Sequence, residues 1–209
     1  MRFENTVTTL DELREVIAPP SELVTAKEVA TFDDYCRDFI ARSPFVLIAS
    51  SDGEGSIDIS PKGDPPGFVQ VLDDRTLAIP DRPGNHRADT FVNVVRHPYV
   101  GLIFLIPGTK NTLRVRGSAT IVRDLTLRES MAVNGRVPEL ALVVELTTAY
   151  FHCAKCIIRS GLWSGANVTA GPASDDVLLA ETMVKHGELT ISVAEMQQII
   201  LYDENERLY

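Results

Sequence analysis

The sequence lacks any apolar run of about 18 residues, so no membrane-spanning helix is expected. Residues 1–5 have neither the basic start nor the apolar core of a signal peptide. Only three cysteines occur, an odd number that argues against a disulfide framework and favours a reducing compartment. We therefore expect a cytoplasmic protein. Internal repeats and low-complexity tracts are also missing.

The charge is unevenly distributed along the 209 residues, which carry a net charge of −9. An acidic chain is not expected to bind nucleic acid, because that requires a basic face. Residues 62–123 nevertheless hold nine Lys and Arg against five Asp and Glu, whereas the rest of the chain holds eleven against 24. An acidic protein that gathers its cations in one segment is expected to use them on an anion.

Motifs of hydrolytic enzymes are missing, including a Ser/His/Asp order, paired carboxylates and HExxH, so no catalytic acid or base is identified. Cys153 and Cys156 form a CxxC after His152, but a closed zinc site needs four ligands and no second CxxC exists. Cys36 lies on the apolar face of a predicted helix. We expect no metal, with a CxxC metal module as an alternative, and His152 and Lys155 are more interesting as ligand contacts.

Helical periodicity predicts two helices before the first strand. A capping box over residues 9–12 opens the first, and a second begins near Thr31. The predicted packing faces are Leu10, Leu13 and Ile17 in the first helix and Phe32, Tyr35, Cys36, Phe39 and Ile40 in the second. Two more helices are predicted near the C-terminus, over residues 175–185 and 193–201.

Short apolar segments separated by turns fill the middle of the chain and predict six or seven strands. The candidate segments are residues 45–49, 57–60, 68–72, 76–79, 99–106, 112–122 and 140–146. One helix separates the fourth segment from the fifth, with a predicted apolar face of Ala88, Phe91, Val92 and Val95. Since helices do not alternate regularly with strands, the pattern favours a small barrel or sandwich over a doubly wound sheet.

Arg82, Asn85 and Arg87 lie in the Pro/Gly turn that leads into this helix. Unpaired N–H groups and partial positive charge at a helix start suit phosphate. Arginine supplies a planar fork that matches phosphate oxygens, and asparagine supplies amide donors. These residues therefore predict a phosphate cradle, although they also fit a polar surface turn and no GxxxxGK[ST] motif is present.

Thr112 and Arg114 share one face of the sixth strand candidate with Arg116, as solvated strand residues or as ligand contacts. Trp163 is the only tryptophan and lies in a Gly-rich loop. It fits half-buried packing or contact with a planar ligand.

Several runs together resemble the FMN-binding split-barrel family named after pyridoxamine 5′-phosphate oxidase, over roughly residues 30 to 165. The runs are Ser60–Asp64, Pro80–Thr90 with Asn93, Gly101–Gly108, Thr112–Gly117 and Tyr150–Cys156, continued by Arg159, Ser160, Leu162 and Trp163. The similarity extends to a bacterial subgroup of proteins related to that oxidase.

The resemblance implies a mainly β protein with flanking helices, built as a six-stranded Greek-key split barrel. It also implies a homodimer with two FMN sites at the interface. In this interpretation Arg82, Asn85 and Arg87 hold the FMN phosphate, Lys62, Thr112 and Arg114 lie along the flavin, and His152, Lys155 and Trp163 come from the other subunit. We divide the chain into an N-terminal helical extension (1–30), the barrel (31–165) and a C-terminal helical segment (166–209) that packs on the barrel or on the partner.

The function implied is that of an FMN-dependent oxidoreductase acting on an unidentified small molecule. A flavin-binding carrier or sensor without turnover is the alternative, and other members of the superfamily use deazaflavin or haem. The true oxidases grip the substrate phosphate with a C-terminal Arg/His pattern. The acidic tail over residues 203–209 lacks it, so vitamin B6 oxidation is not expected.

Overall fold

The structure, a computed structural model, describes residues 3–165, 175–187 and 189–206. Its helices are α1 (Leu10–Val16), α2 (Glu22–Thr25), α3 (Asp34–Arg42), α4 (Asp89–Arg96), α5 (Leu125–Ser130), α6 (Lys155–Ser160), α7 (Asp175–His186) and α8 (Val193–Glu206). Its strands are β1 (Phe45–Ser51), β2 (Ile57–Gly63), β3 (Gln70–Val71), β4 (Thr76–Pro80), β5 (Tyr99–Leu105), β6 (Thr112–Val122) and β7 (Ala141–His152). Part of the predicted C-terminal segment (166–174) and the end of the acidic tail (207–209) lie outside the described residues.

All seven strands belong to one antiparallel sheet in the order β2-β1-β5-β6-β7-β4-β3. The prediction of a mainly β fold with flanking helices is confirmed, but the six strands implied by the resemblance are wrong for this chain. The two-residue strand β3 pairs with β4 at one edge and brings the number to seven. Strand β7 extends beyond its predicted end. The prediction ended too early because polar residues at the solvent-facing positions interrupt the apolar run in the sequence.

Strand register assigns each residue to a face, because residues directly opposite each other in antiparallel neighbours point to the same side. One face carries the row Val46, Phe104, Leu113 and Phe151, which packs in the main hydrophobic core. We call this side the core face. The other side, the outer face, carries the row Pro61, Leu47, Ile103, Arg114 and Tyr150.

Helix α3 packs against the core. Asp33 caps it by accepting a hydrogen bond from the N–H of Cys36 at 2.8 Å. Burial, with a smaller contribution from Asp33, raises the pKa of Cys36 to about 12, so this thiol stays protonated and is a poor metal ligand. Tyr35 was predicted on the packed face, but it is 77% exposed because it lies on the solvent side of the helix.

Helix α4 also covers the core face, but its predicted apolar face is confirmed only at Phe91, which packs against the core. Thr90, Asn93 and Val94 are buried, whereas Val92 and Val95 are exposed. The reason is a pair of polar anchors. The Thr90 hydroxyl donates to the Asp58 carboxylate at 3.2 Å, and the Asn93 amide donates to the Ser50 hydroxyl at 3.1 Å. Hydrogen bonds of buried groups therefore fix the rotation of this helix.

The terminal helices lie apart from the main core. The predicted capping box at Thr9 and Glu12 is confirmed, yet α1 buries none of its residues, so its predicted packing is wrong within the described chain. At the other end α7 and α8 pack against each other around Ala180, Met196 and Ile200. Among the described residues, no helix has the length and apolar character needed to cross a bilayer.

Candidate functional site

Strand β2 presents a polar row on the core face of the sheet. Its register with β1 places Asp58, Ser60 and Lys62 opposite Ser50, Ile48 and Val46. β2 is an edge strand, so the end of this row is not covered by another strand. The Lys62 ammonium donates to the Ser60 hydroxyl at 2.9 Å, which holds its charge along the strand.

A cavity of about 780 Å³ opens beside this row. Ligand pockets typically have such a volume. Three segments line it: the strand residues 58–62, the segment 81–91 with the start of α4, and residues 136–140 between α5 and β7. Four of the nine predicted site residues lie here together, namely Lys62, Arg82, Asn85 and Arg87.

The loop before α4 has an unusual backbone. His86 and Ala88 adopt positive φ values of 59° and 55°, which cost energy in residues with a side chain. Asn85 shapes the turn by accepting a hydrogen bond from the N–H of Arg87 at 3.1 Å. Ala88 is the N-cap of α4 and provides no side-chain cap. The first N–H groups of the helix thus lack the side-chain acceptor that a helix start usually has.

The two arginines of the loop differ in their contacts. Arg87 is 72% exposed at its side chain and donates from Nε to Asp89 at 2.8 Å, a surface pair that a ligand can replace. Arg82 is 17% exposed and donates from Nε to Asp64 at 2.6 Å and from Nη1 to the Met131 carbonyl at 3.0 Å. Arg82 therefore holds the loop to its surroundings as well as lining the cavity.

Charges of both signs line the cavity. The basic side chains are Lys62, Arg82, Arg87 and Arg136, and the acidic ones are Asp58, Asp81, Asp89 and Glu139. Burial raises the pKa of Asp81, against the opposing effects of Lys62, Arg82 and His86. A partly desolvated carboxyl next to several cations marks a place where the local field is strong.

The other five predicted site residues do not line this cavity. Thr112 and Arg114 belong to β6, where Thr112 is the register partner of His152 and Arg114 that of Tyr150 on the outer face. Trp163 donates its indole N–H to the Thr109 carbonyl at 2.8 Å, so it packs at the turn between β5 and β6. Lys155 begins α6 and is exposed. Within one chain the predicted site residues therefore form two groups. The first group lines the cavity and the second does not: Lys62, Arg82, Asn85 and Arg87, and Thr112, Arg114, His152, Lys155 and Trp163.

The second group is strongly cationic. Arg114 and Lys27 lie over the ring of Tyr150, with each charged group 5.5 Å from the ring centroid. Burial lowers the pKa of His152, and the charges of Arg114 and Lys27 lower it further. A neutral imidazole beside an arginine can donate or accept a hydrogen bond at a ligand edge.

The outer face between the two groups is apolar. Ile57 and Ile59 project from β2 with 72% and 62% of their surface exposed, and Phe45 projects from β1. These three exposed apolar side chains therefore lie on one face of the sheet.

Sequence reasoning missed several residues of the cavity. Asp58 and Ser60 alternate with Ile57 and Ile59, so the period of two already placed them on the side of Lys62. The segment 136–140 gave no local signal, because only the packing of α5 and β7 brings it to the cavity.

Among the described residues, no group of three or more His, Cys, Asp or Glu is arranged to hold a metal. Cys153 and Cys156 are free and exposed, whereas Cys36 is free and buried in the core.

Solved structures with a similar chain path share little sequence with this protein. HupZ from Group A Streptococcus is 19% identical, with a TM-score of 0.46 over 66% of this chain and 98% of that one. An FMN-binding protein from Syntrophomonas wolfei is 12% identical, with a TM-score of 0.44 over 55% and 82%. A protein of the pyridoxinephosphate oxidase family from Clostridium acetobutylicum, related to general stress protein 26, is 14% identical, with a TM-score of 0.40 over 56% and 84%.

No curated protein sequence matches the chain. The family model described as pyridoxamine 5′-phosphate oxidase, in contrast, matches residues 32–153, which run from the residue before the cap of α3 to the end of β7. This match covers more than half of the chain and contains the seven strands and the cavity, and so the chain belongs to the pyridoxamine 5′-phosphate oxidase family.

Proposed function

We propose that the protein is an FMN-dependent oxidoreductase that acts on a small molecule. The observation that carries the proposal is the convergence of Lys62, Asn85 and Arg87 on one cavity at the start of α4. Two cations, an amide and a helix start are the donors that a phosphate group needs. The cavity volume also suits a ligand of nucleotide size.

The donors in the cavity fit the phosphate of FMN. Arg87 can exchange its surface pair with Asp89 for a phosphate oxygen, and Lys62 lines the same cavity. Arg82 contributes positive charge, while its bonds to Asp64 and Met131 fix the loop. The loop backbone is strained at His86 and Ala88, and the start of α4 lines the same cavity.

FMN, when bound, supplies the hydride and electron transfer chemistry, and the protein supplies binding, orientation and electrostatics. His152 is held neutral by burial and by its cationic neighbours, so it can exchange hydrogen bonds near neutral pH. Thr112, its register partner, is buried.

The proposal includes a homodimer with FMN sites at the interface. Within one chain, Lys62 and Arg114 belong to opposite faces of the sheet, and the cavity lining includes none of the five residues of the second group. A second copy on the apolar outer face brings Thr112, Arg114, His152, Lys155 and Trp163 of one subunit towards the cavity of the other. Burial of Ile57 and Ile59 would stabilise this dimer.

The proposal also keeps the division into residues 1–30, 31–165 and 166–209, and a cytoplasmic location. The separate cluster of α7 and α8 supports treating the C-terminal segment as an appendage. The odd number of cysteines supports a reducing compartment.

The test is the absorption spectrum of the purified protein followed by FMN titration of variants. Lys62→Ala and Arg87→Ala should each weaken FMN binding by roughly tenfold or more, because a hydrogen bond to a charged group contributes about 1.5–3 kcal/mol. Arg42→Ala is the matched control, since Arg42 also forms an exposed pair, with Asp38. Equal FMN affinity in all four proteins, or a protein that takes up no FMN, contradicts the proposal.

Turnover separates the enzyme from a flavin carrier or sensor. Anaerobic bleaching of the bound flavin by at least one reductant in a broad panel supports the enzyme. Stable flavin absorption across the whole panel favours the carrier. Mass spectrometry of the group released by heat identifies FMN and distinguishes it from a deazaflavin or haem.

A further inference from the structure

Tyr150 on the outer face is surrounded by three cations. The Lys27 ammonium and the Arg114 guanidinium lie 5.5 Å from its ring centroid, and the Arg116 guanidinium lies at 5.7 Å. Each of these contacts is within the range of a cation–π interaction. Three positive charges around one ring also repel one another, and a bound anion would remove that repulsion.

One of the three cations, Lys27, lies outside residues 32–153, the part of the chain that the family model matches. Val29 and Ala149 form a β bridge with two N–H···O bonds of 2.9 Å, which attaches the N-terminal extension to β7. This bridge positions Lys27 over the ring of Tyr150, the residue after Ala149. The extension therefore completes a cluster that the barrel alone would leave with two cations.

The cluster retains excess positive charge. Glu28 lies 3.9 Å from Arg116 and partly offsets it. Within the described parts of the chain, neither Lys27 nor Arg114 has a carboxylate within ion-pair distance. The neighbouring His152 experiences this field, since Arg114 and Lys27 both lower its pKa. Tyr150 and Arg114 are only half-buried, so a solute can reach them.

Alternative roles for these cations fit less well. A purely structural role would stabilise the fold only weakly, because exposed cation–π contacts contribute only about 0.5–1 kcal/mol each. A solvated surface would distribute three like charges apart from one another and pair them with the abundant acidic residues of this chain. Three cations that converge with one carboxylate near them keep excess positive charge, which is typical of an anion site.

We propose that Lys27, Arg114 and Arg116 around Tyr150 bind the carboxylate or phosphate group of the small-molecule substrate. This inference rests on the proposed function, because Arg114 and His152 belong to the group assigned to the flavin. It narrows the substrate class to anions. Arg116 contributes less than Lys27, because Glu28 already offsets its charge.

The experiment is calorimetric titration of the purified protein, loaded with FMN, with inorganic phosphate at constant ionic strength. The wild-type protein should bind phosphate saturably. Lys27→Gln should weaken that binding by about tenfold or more, Arg116→Gln by less, and the matched control Lys185→Gln on α7 not at all. The FMN affinity of Lys27→Gln, measured in parallel, should equal that of the wild type.

Three results would overturn the inference. The first is unchanged phosphate binding in Lys27→Gln, and the second is a wild-type protein that holds FMN but binds no phosphate. The third is an equal loss of FMN affinity in Lys27→Gln, which would mean that the cluster holds the flavin itself. If the wild type takes up no FMN, the proposed function fails, yet the dependence of phosphate binding on Lys27 still decides whether the anion site exists.

Discussion

Arg82 and Asp64 form the most buried ion pair among the described residues, with Nε and Oδ2 2.6 Å apart and the Asp64 side chain 1% exposed. The pair joins the segment after β2 to the loop before α4, and Arg82 also donates to the Met131 carbonyl. One side chain thereby connects three segments around the cavity. The sequence alone predicts Arg82 as a phosphate ligand, whereas its contacts make it first an organiser of the loop.

Asp64→Asn should destabilise the protein by roughly 3 kcal/mol, because it leaves the guanidinium of Arg82 largely buried without its carboxylate. The measurement is the urea midpoint, with the m-value checked for constancy. Asp38→Asn breaks the exposed pair with Arg42 and serves as the control, with an expected change of at most about 0.5 kcal/mol. Similar losses in the two variants would show that burial does not strengthen the Arg82–Asp64 pair.

Gly117 should not tolerate a side chain. It lies at the register shift of β6 against β7, and an added Cβ would lie 2.1 Å from the carbonyl oxygen of Glu145. Since that oxygen belongs to the backbone, Gly117→Ala requires the two strands to move apart, which we expect to cost roughly 2–3 kcal/mol. Thermal or urea denaturation measures the loss.

Gly101→Ala provides the matched control for this glycine. Gly101 belongs to the neighbouring strand β5, is the register partner of Arg116, and has open space where its Cβ would lie. Its stability should change by less than about 0.5 kcal/mol. If the two alanine variants were equally stable, the close approach at Gly117 would be irrelevant to the fold.

Local sequence pattern predicts most of the elements and part of the site. The capping box at Thr9, the alternation of β6 and the turn before α4 all depend on near neighbours in sequence. The predicted cradle residues Arg82, Asn85 and Arg87 lie within one turn for the same reason. Lys62, in contrast, was predicted only through the resemblance to the family, because its position at the same cavity depends on long-range packing.

Long-range packing decides what the pattern did not predict. Apolar spacing predicted Ala88, Phe91, Val92 and Val95 on the buried side of α4, of which Phe91 packs against the core. Hydrogen bonds to Asp58 and Ser50 instead bury Thr90 and Asn93. Asp64 and Arg82 are 18 residues apart, and no local rule pairs them. Residues 136–140 reach the cavity only through the β6–α5–β7 connection. Each of these features depends on tertiary contacts that a periodicity does not encode.

His152 should titrate below its ordinary pKa of 6.5, because burial, Arg114 and Lys27 all disfavour its protonated form. Lys27→Gln removes one cation and should raise the pKa of His152 partway towards that value. An NMR pH titration of the imidazole C–H signals measures the shift, with His152→Gln to assign them. Lys185→Gln, the charge-matched control, should leave the signal of His152 unchanged.

The same shift fixes the sign of a pH effect on stability. Below about pH 6.5 His152 is protonated to a greater extent in the unfolded chain than in the folded protein. The contribution of His152 to the free energy of unfolding therefore decreases as the pH falls, and the decrease is complete below the folded pKa. Lys27→Gln should make that decline shallower in urea titrations at several pH values. A steeper decline in the variant would mean that Lys27 does not oppose protonation of His152.

The apolar outer face should determine the oligomeric state. If a second copy covers Ile57 and Ile59, the wild-type protein sediments as a dimer at micromolar concentration, and Ile57→Glu produces monomers because a carboxylate would be buried in the interface. Tyr35→Glu on α3 changes a similarly exposed side chain elsewhere and should leave the dimer intact. Ile57 does not line the cavity, so Ile57→Glu should lose FMN affinity only through loss of the dimer. A monomeric wild-type protein that retains FMN would show instead that a single chain completes the site, and the five residues around Tyr150 and Trp163 would need a role independent of the flavin.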